Sequence, residues 1–285
     1  MGCAMFSIPN PMLEVRNLKV SYPQRDGRVI EAVRGVSFSL GRERLGIVGE
    51  SGSGKSQTGR AIMGLSSPGA RIEAEALSFD GKDLLHMDAA SRRHLRGSRL
   101  AMILQDPKYS LNPVMRIGAQ IVETLRTHRR VSGAEATARM LASLREVGID
   151  DAERVARLYP HEVSGGMGQR VMIAMMTICE PELLIADEPT SALDVTVQLQ
   201  VLAVLDRLVR ERGMGLIFVS HDLRLVSTFC DRILIMYAGR VVETLASGRL
   251  HEAQHPYTRG LLDCLPRLEE PRHPLPTLQR EESWR

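Results

Sequence analysis

No stretch of this sequence approaches the roughly 18 consecutive apolar residues that a membrane-spanning helix needs. The longest apolar run is Val171 to Cys179. If the protein serves a membrane, it is expected to sit on it as a peripheral subunit held by partners. The first residues hold no basic segment followed by an apolar run, so no signal peptide is expected. Cysteine is scarce. Cys3, Cys179, Cys230 and Cys264 are scattered without a CxxC spacing, which predicts free thiols in a reducing compartment. Charge of one sign is also lacking: the formal net charge is +3, too slight to point to nucleic acid or an acidic membrane surface. Arginine outnumbers lysine, which reads as base composition. No internal repeat is present.

What is there suits a soluble globular chain. Its 285 residues fit one large domain with an extension, or two small ones. Hydrophobic residues at 44% and charged residues at 25% are ordinary for such a chain, and this length supports a real core. Residues 1–11 hold two prolines and little pattern, and read as a loose leader. Leu13-Glu-Val15 and Val36-Ser-Phe38-Ser-Leu40 alternate apolar and polar residues as half-buried strands do. Leu45-Gly-Ile-Val48 suits a strand buried on both faces, followed by a Gly-rich turn and a helix from about Lys55. Residues 72–86 read as strands and turns, and Leu100 to Leu104 as another buried strand. From about 117 to 159 the pattern is helical and charged, which predicts an inserted helical subdomain. Strand-like runs return at Leu183–Ala186, Leu216–Val219 and Ile233–Tyr237. Between the first two, Val197, Val201, Leu205, Leu208 and Val209 keep helical spacing. Short strands alternating with helices predict an α/β fold with a parallel sheet. From about 246 the sequence is rich in His, Pro and Arg and reads as a surface extension.

Gly49-Glu50-Ser51-Gly52-Ser53-Gly54-Lys55-Ser56 fits the P-loop pattern G-x-x-x-x-G-K-[ST]. Its glycines let backbone N–H groups turn inward around phosphate oxygens, and the helix N-terminus that follows adds its positive end. Lys55 supplies a cation to the β- and γ-phosphates, and the Ser56 hydroxyl is a candidate Mg²⁺ ligand. Gln57 follows directly and is counted with the nucleotide-contacting residues. Leu183-Leu-Ile-Ala-Asp187-Glu188 is an apolar strand that ends in two carboxylates. Asp187 is the candidate Mg²⁺ holder and Glu188 the group that polarises the attacking water. Such an acidic pair is weak alone, because it also suits a solvated loop end. Beside a P-loop it becomes strong.

Val163-Ser164-Gly165-Gly166-Met167-Gly168-Gln-Arg170 resembles the LSGGQ signature of the ABC ATPase family, with Val for Leu and Met for Gln. Gly168 departs from that pattern and falls in the first helical turn, where glycine costs about 0.5–1 kcal/mol relative to alanine. Other segments fall in the family's order. Gln105, in Leu-Gln-Asp-Pro, resembles the Q-loop glutamine, which touches Mg²⁺ and the water. Ser191-Ala-Leu-Asp194 resembles the D-loop, although Asp194 serves equally well as a helix cap. His221 resembles the H-loop histidine, which hydrogen-bonds the γ-phosphate. Tyr22 resembles the aromatic residue that stacks on adenine. The resemblance covers about residues 12–262. It implies a P-loop NTPase fold of the ABC ATPase type, with a parallel-sheet core, an antiparallel β subdomain and an inserted helical subdomain. The ATPase domain is expected over 12–250, with the helical subdomain at about 110–166 and an extension over 251–285. ATP and Mg²⁺ are the implied cofactors.

In that family each ATP lies between the P-loop of one subunit and the signature of another. The resemblance therefore implies pairing with a second ABC ATPase, expected to be a different chain. It further implies two integral membrane permeases and a solute-binding protein, at the cytoplasmic face of a bacterial inner membrane, with no nucleic acid. Leu104 to Pro113, Leu158 to Val163 and His255-Pro-Tyr-Thr-Arg-Gly-Leu-Leu262 resemble the peptide/nickel importer branch. Only Cys264 remains where many members of that branch carry a cysteine-rich tail, so a four-cysteine cluster cannot be built there. Peptide is the expected solute, with nickel and other small solutes left open. A soluble ABC ATPase of DNA repair or translation is the rival class. Paired cassettes, a long coiled-coil insert or basic patches would mark it, and none is visible.

Overall fold

The computed structural model describes residues 8–191 and 193–265. The leader up to residue 7, Cys3 with it, Ala192 of the D-loop segment and the Pro-rich end beyond Leu265 lie outside the described residues. The chain divides into two compact units, one of residues 1–87 and 217–285, the other of residues 88–216.

The first unit begins with β1 (Leu13–Pro23) and β2 (Val29–Leu40), an antiparallel pair in which Leu13 faces Leu40 and Val15 faces Phe38. Their inward residues Leu13, Val15, Leu18, Val20, Val36 and Leu40 are fully buried, the period-2 pattern of a sheet with one covered face. Both strands run well beyond the alternating segments visible in sequence. Next come β3 (Arg44–Val48), α1 (Lys55–Met63), β4 (Arg71–Glu73), β5 (Ala76–Phe79) and β6 (Lys82–Asp83). Strands β4 and β5 both pair antiparallel with β1, so this is the antiparallel β part of the fold.

The second unit starts with α2 (Ala89–Ser98) and β7 (Leu100–Ile103), then α3 (Pro107–Ser110), α4 (Ile117–His128), α5 (Gly133–Glu146), α6 (Ala152–Arg157) and α7 (Gly165–Thr177). It ends with β8 (Leu183–Asp187) and α8 (Val195–Arg212). Strands β7 and β8 pair in parallel and every residue of both is buried, as two-sided burial requires. Helices α4, α5 and α6 lie within 117–159, where the sequence pattern is helical and charged. Gln120, 5% exposed, ties the connection into α4. Its Oε1 accepts the Asn112 N–H at 2.8 Å, and its Nε2 donates to the carbonyls of Asn112 and Met115 at 3.0 and 2.9 Å.

Strand β9 (Gly215–Ser220) carries the chain back into the first unit, followed by α9 (Leu223–Phe229), β10 (Arg232–Tyr237), β11 (Arg240–Ala246) and α10 (Pro256–Asp263). There β3 and β10 run parallel, Leu45 beside Arg232 through Val48 beside Ile235. Helix α9 lies tight against β3. A Cβ on Gly46 would sit 2.1 Å from Val226 Cγ1, so only glycine fits. Cys179 and Cys230 are buried and Cys264 is half-buried, and none of the three is in a disulfide. Burial pushes the Cys230 thiol well above the ordinary cysteine range.

One expectation changes. The segment beyond residue 246 is not purely surface. In α10, Tyr257 and Thr258 are fully buried, and the Tyr257 ring packs against Tyr237 with centroids 4.5 Å apart. An aromatic ring gains more by burial than any other part of this polar segment, so it anchors the helix.

Candidate nucleotide-binding site

In the first unit, β3 ends at Val48 and the chain turns through Gly49–Gly54 into α1. Three glycines make the turn possible. Gly52 and Gly54 hold positive φ of 81° and 98°, which L side chains rarely adopt. At Gly49 a Cβ would lie 2.1 Å from the Met236 carbonyl oxygen. Beside Gly52 the space is open, with no heavy atom within 4 Å of where a Cβ would stand. Lys55 is only 4% exposed, and its Nζ donates to the carbonyls of Gly49 at 2.7 Å and Glu50 at 2.8 Å. These neutral acceptors orient the ammonium, and a phosphate oxygen is the acceptor that matches its charge. Ser53 Oγ is buried with no hydrogen-bond partner among the described residues.

The loop is braced from behind. The Gly239 N–H donates to the Ser53 carbonyl at 3.1 Å, and the Glu50 N–H donates to the Tyr257 hydroxyl at 3.2 Å. On the helix side, the Ser56 side chain is half-buried, and the Tyr22 hydroxyl donates to Gln57 Oε1 at 2.5 Å. Two candidates from distant points of the sequence thus meet. His221 follows β9 directly and is exposed. Its neighbours are fixed: the Asp222 N–H donates to Ser220 Oγ, and the Asp222 carboxylate caps α9 at Leu225 N, both at 3.0 Å.

In the second unit, β8 delivers Asp187, 4% exposed, and then Glu188. Glu188 has φ 48°, a left-handed conformation that costs a non-glycine residue about 1 kcal/mol or more. The turn is held by Ser191, whose N–H and Oγ both donate to the Glu188 carbonyl at 3.3 and 3.2 Å. Gln105 Nε2 donates to Glu188 Oε2 at 3.2 Å, so the glutamine after β7 and the carboxylate after β8 face each other.

Ser164 is the N-cap of α7, its Oγ accepting from Met167 N at 3.3 Å. A Cβ on Gly165 would meet nothing within 4 Å, whereas one on Gly166 would lie 2.4 Å from Val197 Cγ1. The first turn of α7 therefore rests against the first turn of α8. Asp194 caps that helix, its Oδ1 accepting from Val197 N at 3.0 Å. The local capping role anticipated for Asp194 is present. Sequence reasoning did not identify Tyr257 as a neighbour of the phosphate loop. The only signal was an aromatic residue inside a polar segment, and its contact lies 207 residues away in sequence.

A parallel strand that ends in a glycine loop, closed over a buried lysine at a helix start, defines a P-loop nucleotide-binding protein. Residues 33–191 match the family model for ABC transporters. The chain belongs to the ABC transporter family and is one of its nucleotide-binding ATPases. It is 46% identical over 262 residues to the oligopeptide transport ATP-binding protein OppD of Haemophilus influenzae, covering 91% of this chain and 80% of that protein. It is 47% identical over 262 residues to OppD of Salmonella typhimurium, covering 91% and 78%. It is 46% identical over 270 residues to the dipeptide transport ATP-binding protein DppD of H. influenzae, covering 94% and 82%. Among solved structures, a dimeric bacterial ABC transporter cassette matches with a TM-score of 0.75 at 27% identity, covering 83% of this chain and 99% of that one. The same cassette in a post-hydrolysis state with ADP and Pi matches with a TM-score of 0.75 at 26% identity, covering 83% and 99%. Among the described residues no helix is long and apolar enough to cross a membrane.

Proposed function

We propose that this chain binds and hydrolyses ATP to power a bacterial importer of di- and oligopeptides. The observation that carries the solute class is the 46–47% identity, across nine-tenths of the chain, to ATP-binding proteins named for oligopeptide and dipeptide transport. The ATPase domain extends over 12–250, with its helical subdomain at about 110–166 and the extension after it.

The phosphates are held by the loop Gly49–Gly54, by Lys55 and by the backbone at Ser56 and Gln57, and Tyr22 stacks on adenine. Ser56, Gln105 and Asp187 would hold Mg²⁺, which would supply charge neutralisation for the phosphates. Glu188 accepts a hydrogen bond from the attacking water and raises its electron density. Gln105 orients that carboxylate through the bond described above. The water oxygen bonds to the γ-phosphorus, the bond to the β–γ bridging oxygen breaks, the water gives up a proton that is released to solvent, and ADP and phosphate result. His221 donates a hydrogen bond to the γ-phosphate as charge redistributes. Ser164, Gly165, Gly166 and Asp194 serve the nucleotide of a second cassette. A full transporter then comprises this chain, a second ATPase of different sequence, two permeases and a solute-binding protein, with this chain peripheral on the cytoplasmic face.

The test is an affinity pull-down of the tagged chain from detergent-solubilised native membranes, with the co-purifying proteins identified. Two multi-span permeases and a second ATPase are expected, and stimulation of ATP hydrolysis by a peptide-loaded binding protein fixes the solute. Recovery of ribosomes or DNA in place of membrane proteins would overturn the reading.

A further inference from the structure

The sequence singled out His255-Pro-Tyr-Thr-Arg-Gly-Leu-Leu262 only as a mark of a family branch, and the catalytic reading leaves it without a task. The structure gives one residue of it a place. The peptide unit joining Gly49 to Glu50 is held at both ends. Its carbonyl, Gly49 O, accepts from Lys55 Nζ at 2.7 Å. Its N–H, on Glu50, donates to the Tyr257 hydroxyl at 3.2 Å. In a planar trans peptide these two groups point in opposite directions, so the two bonds together fix the rotation of the plane. The next carbonyl, Glu50 O, accepts from Lys55 Nζ at 2.8 Å and from Ser53 N at 3.2 Å. The plane that Tyr257 holds is thus continuous with both groups that aim the lysine.

Tyr257 is itself immobilised. It is fully buried, and its ring lies against Tyr237. Its own N–H is taken by His255 Nδ1 at 3.1 Å, which starts α10. The backbone just before is pinned by Glu243, which accepts from Gln254 N at 2.7 Å. A rigid hydroxyl placed by a buried ring is a suitable stop for a loop rich in glycine, whose backbone would otherwise sample many conformations.

We propose that Tyr257 is a positioning residue for nucleotide binding: its hydroxyl locks the Gly49–Glu50 peptide and thereby orients Lys55, making α10 a structural part of the phosphate site. This rests on the reading of Gly49–Ser56 as the ATP site. Tyr257→Phe keeps the ring packing and removes only the hydroxyl. With the full-length chain and a fluorescent ATP analogue in Mg²⁺, the variant should bind about fivefold more weakly, the effect of one backbone hydrogen bond. The melting temperature of the nucleotide-free chain should fall by no more than about 4 °C, the share of that one hydrogen bond. In the assembled transporter the same change should raise KM for ATP while kcat holds. Unchanged affinity in Tyr257→Phe, with normal binding by the wild type, would overturn the role of Tyr257 and leave the ATP site standing. Weaker binding accompanied by a much larger fall in the melting temperature of the free chain would also overturn it, because the hydroxyl would then serve the fold as a whole. A wild-type chain that binds no nucleotide would sink both.

Discussion

Lys55 brings a positive charge into a loop where 4% of its surface remains exposed, and its Nζ donates to two backbone carbonyls, which carry no formal charge. Taking an ammonium out of water is costly unless strong acceptors replace the water, and the phosphates of ATP are stronger acceptors than amide carbonyls. Lys55→Ala should therefore weaken binding of Mg²⁺-ATP by about 10- to 100-fold, the range for a hydrogen bond to a charged group. Titration with a fluorescent ATP analogue measures it, and unchanged affinity would contradict the assignment of the loop. Glu188 is the complementary case. It keeps a left-handed backbone that asparagine or glycine would adopt more cheaply, and the Ser191 bonds hold it there. Strain at a carboxylate that Gln105 contacts motivates the proposed catalytic role of Glu188.

At the scale of elements, α7 shows how a departure from a motif can be tested on its own. Gly168 lies inside the helix, and a Cβ there would make ordinary contacts of 3.7 and 3.8 Å with Pro107. Nothing in the packing demands glycine. Gly168→Ala should stabilise the chain by about 0.5–1 kcal/mol, raising the melting temperature by about 2 °C. Calorimetry on the nucleotide-free protein checks this, and a fall in the transition would mean that the backbone there needs glycine after all. Gly166, two residues earlier, has no such freedom because Val197 occupies the space. The elements differ likewise in how far the sequence exposed them. Strands β3, β8, β9 and β10 were readable because burial on both faces leaves an uninterrupted apolar run. The P-loop was readable because every requirement on it is local. Helix α2 was missed: it buries only Leu95 and is otherwise small or polar, so its one clear signal was Asp88, which caps it at Ala90 N and Ser91 N. The role of Gln120 was also hidden, since a buried glutamine that ties three backbone groups looks in sequence like any surface glutamine. Tyr257 was hidden for a third reason: no local pattern encodes a bond to a loop 207 residues away.

At the scale of the whole molecule, the chain has one P-loop, at Gly49–Ser56, and one signature, at Ser164–Gly166. If each ATP requires a P-loop from one cassette and a signature from another, a single copy can bind nucleotide but cannot complete a hydrolytic site. Binding and hydrolysis then do separate work. On the proposed pairing, closure on ATP would move the helical parts and the membrane partners, and hydrolysis would reset them. A variant that separates the two steps tests this directly. Glu188→Gln keeps the side-chain volume and an acceptor oxygen but loses the carboxylate charge proposed to activate water. It should bind ATP with near-normal affinity, hydrolyse it about 100-fold or more slowly, and accumulate as a nucleotide-closed pair with the second ATPase recovered from the membranes. Size-exclusion chromatography of the co-expressed cassettes should show the paired species with ATP and not with ADP. Normal turnover by Glu188→Gln in the assembled transporter would remove Glu188 from its role. Slow turnover without ATP-dependent pairing would keep that role and reject the shared site.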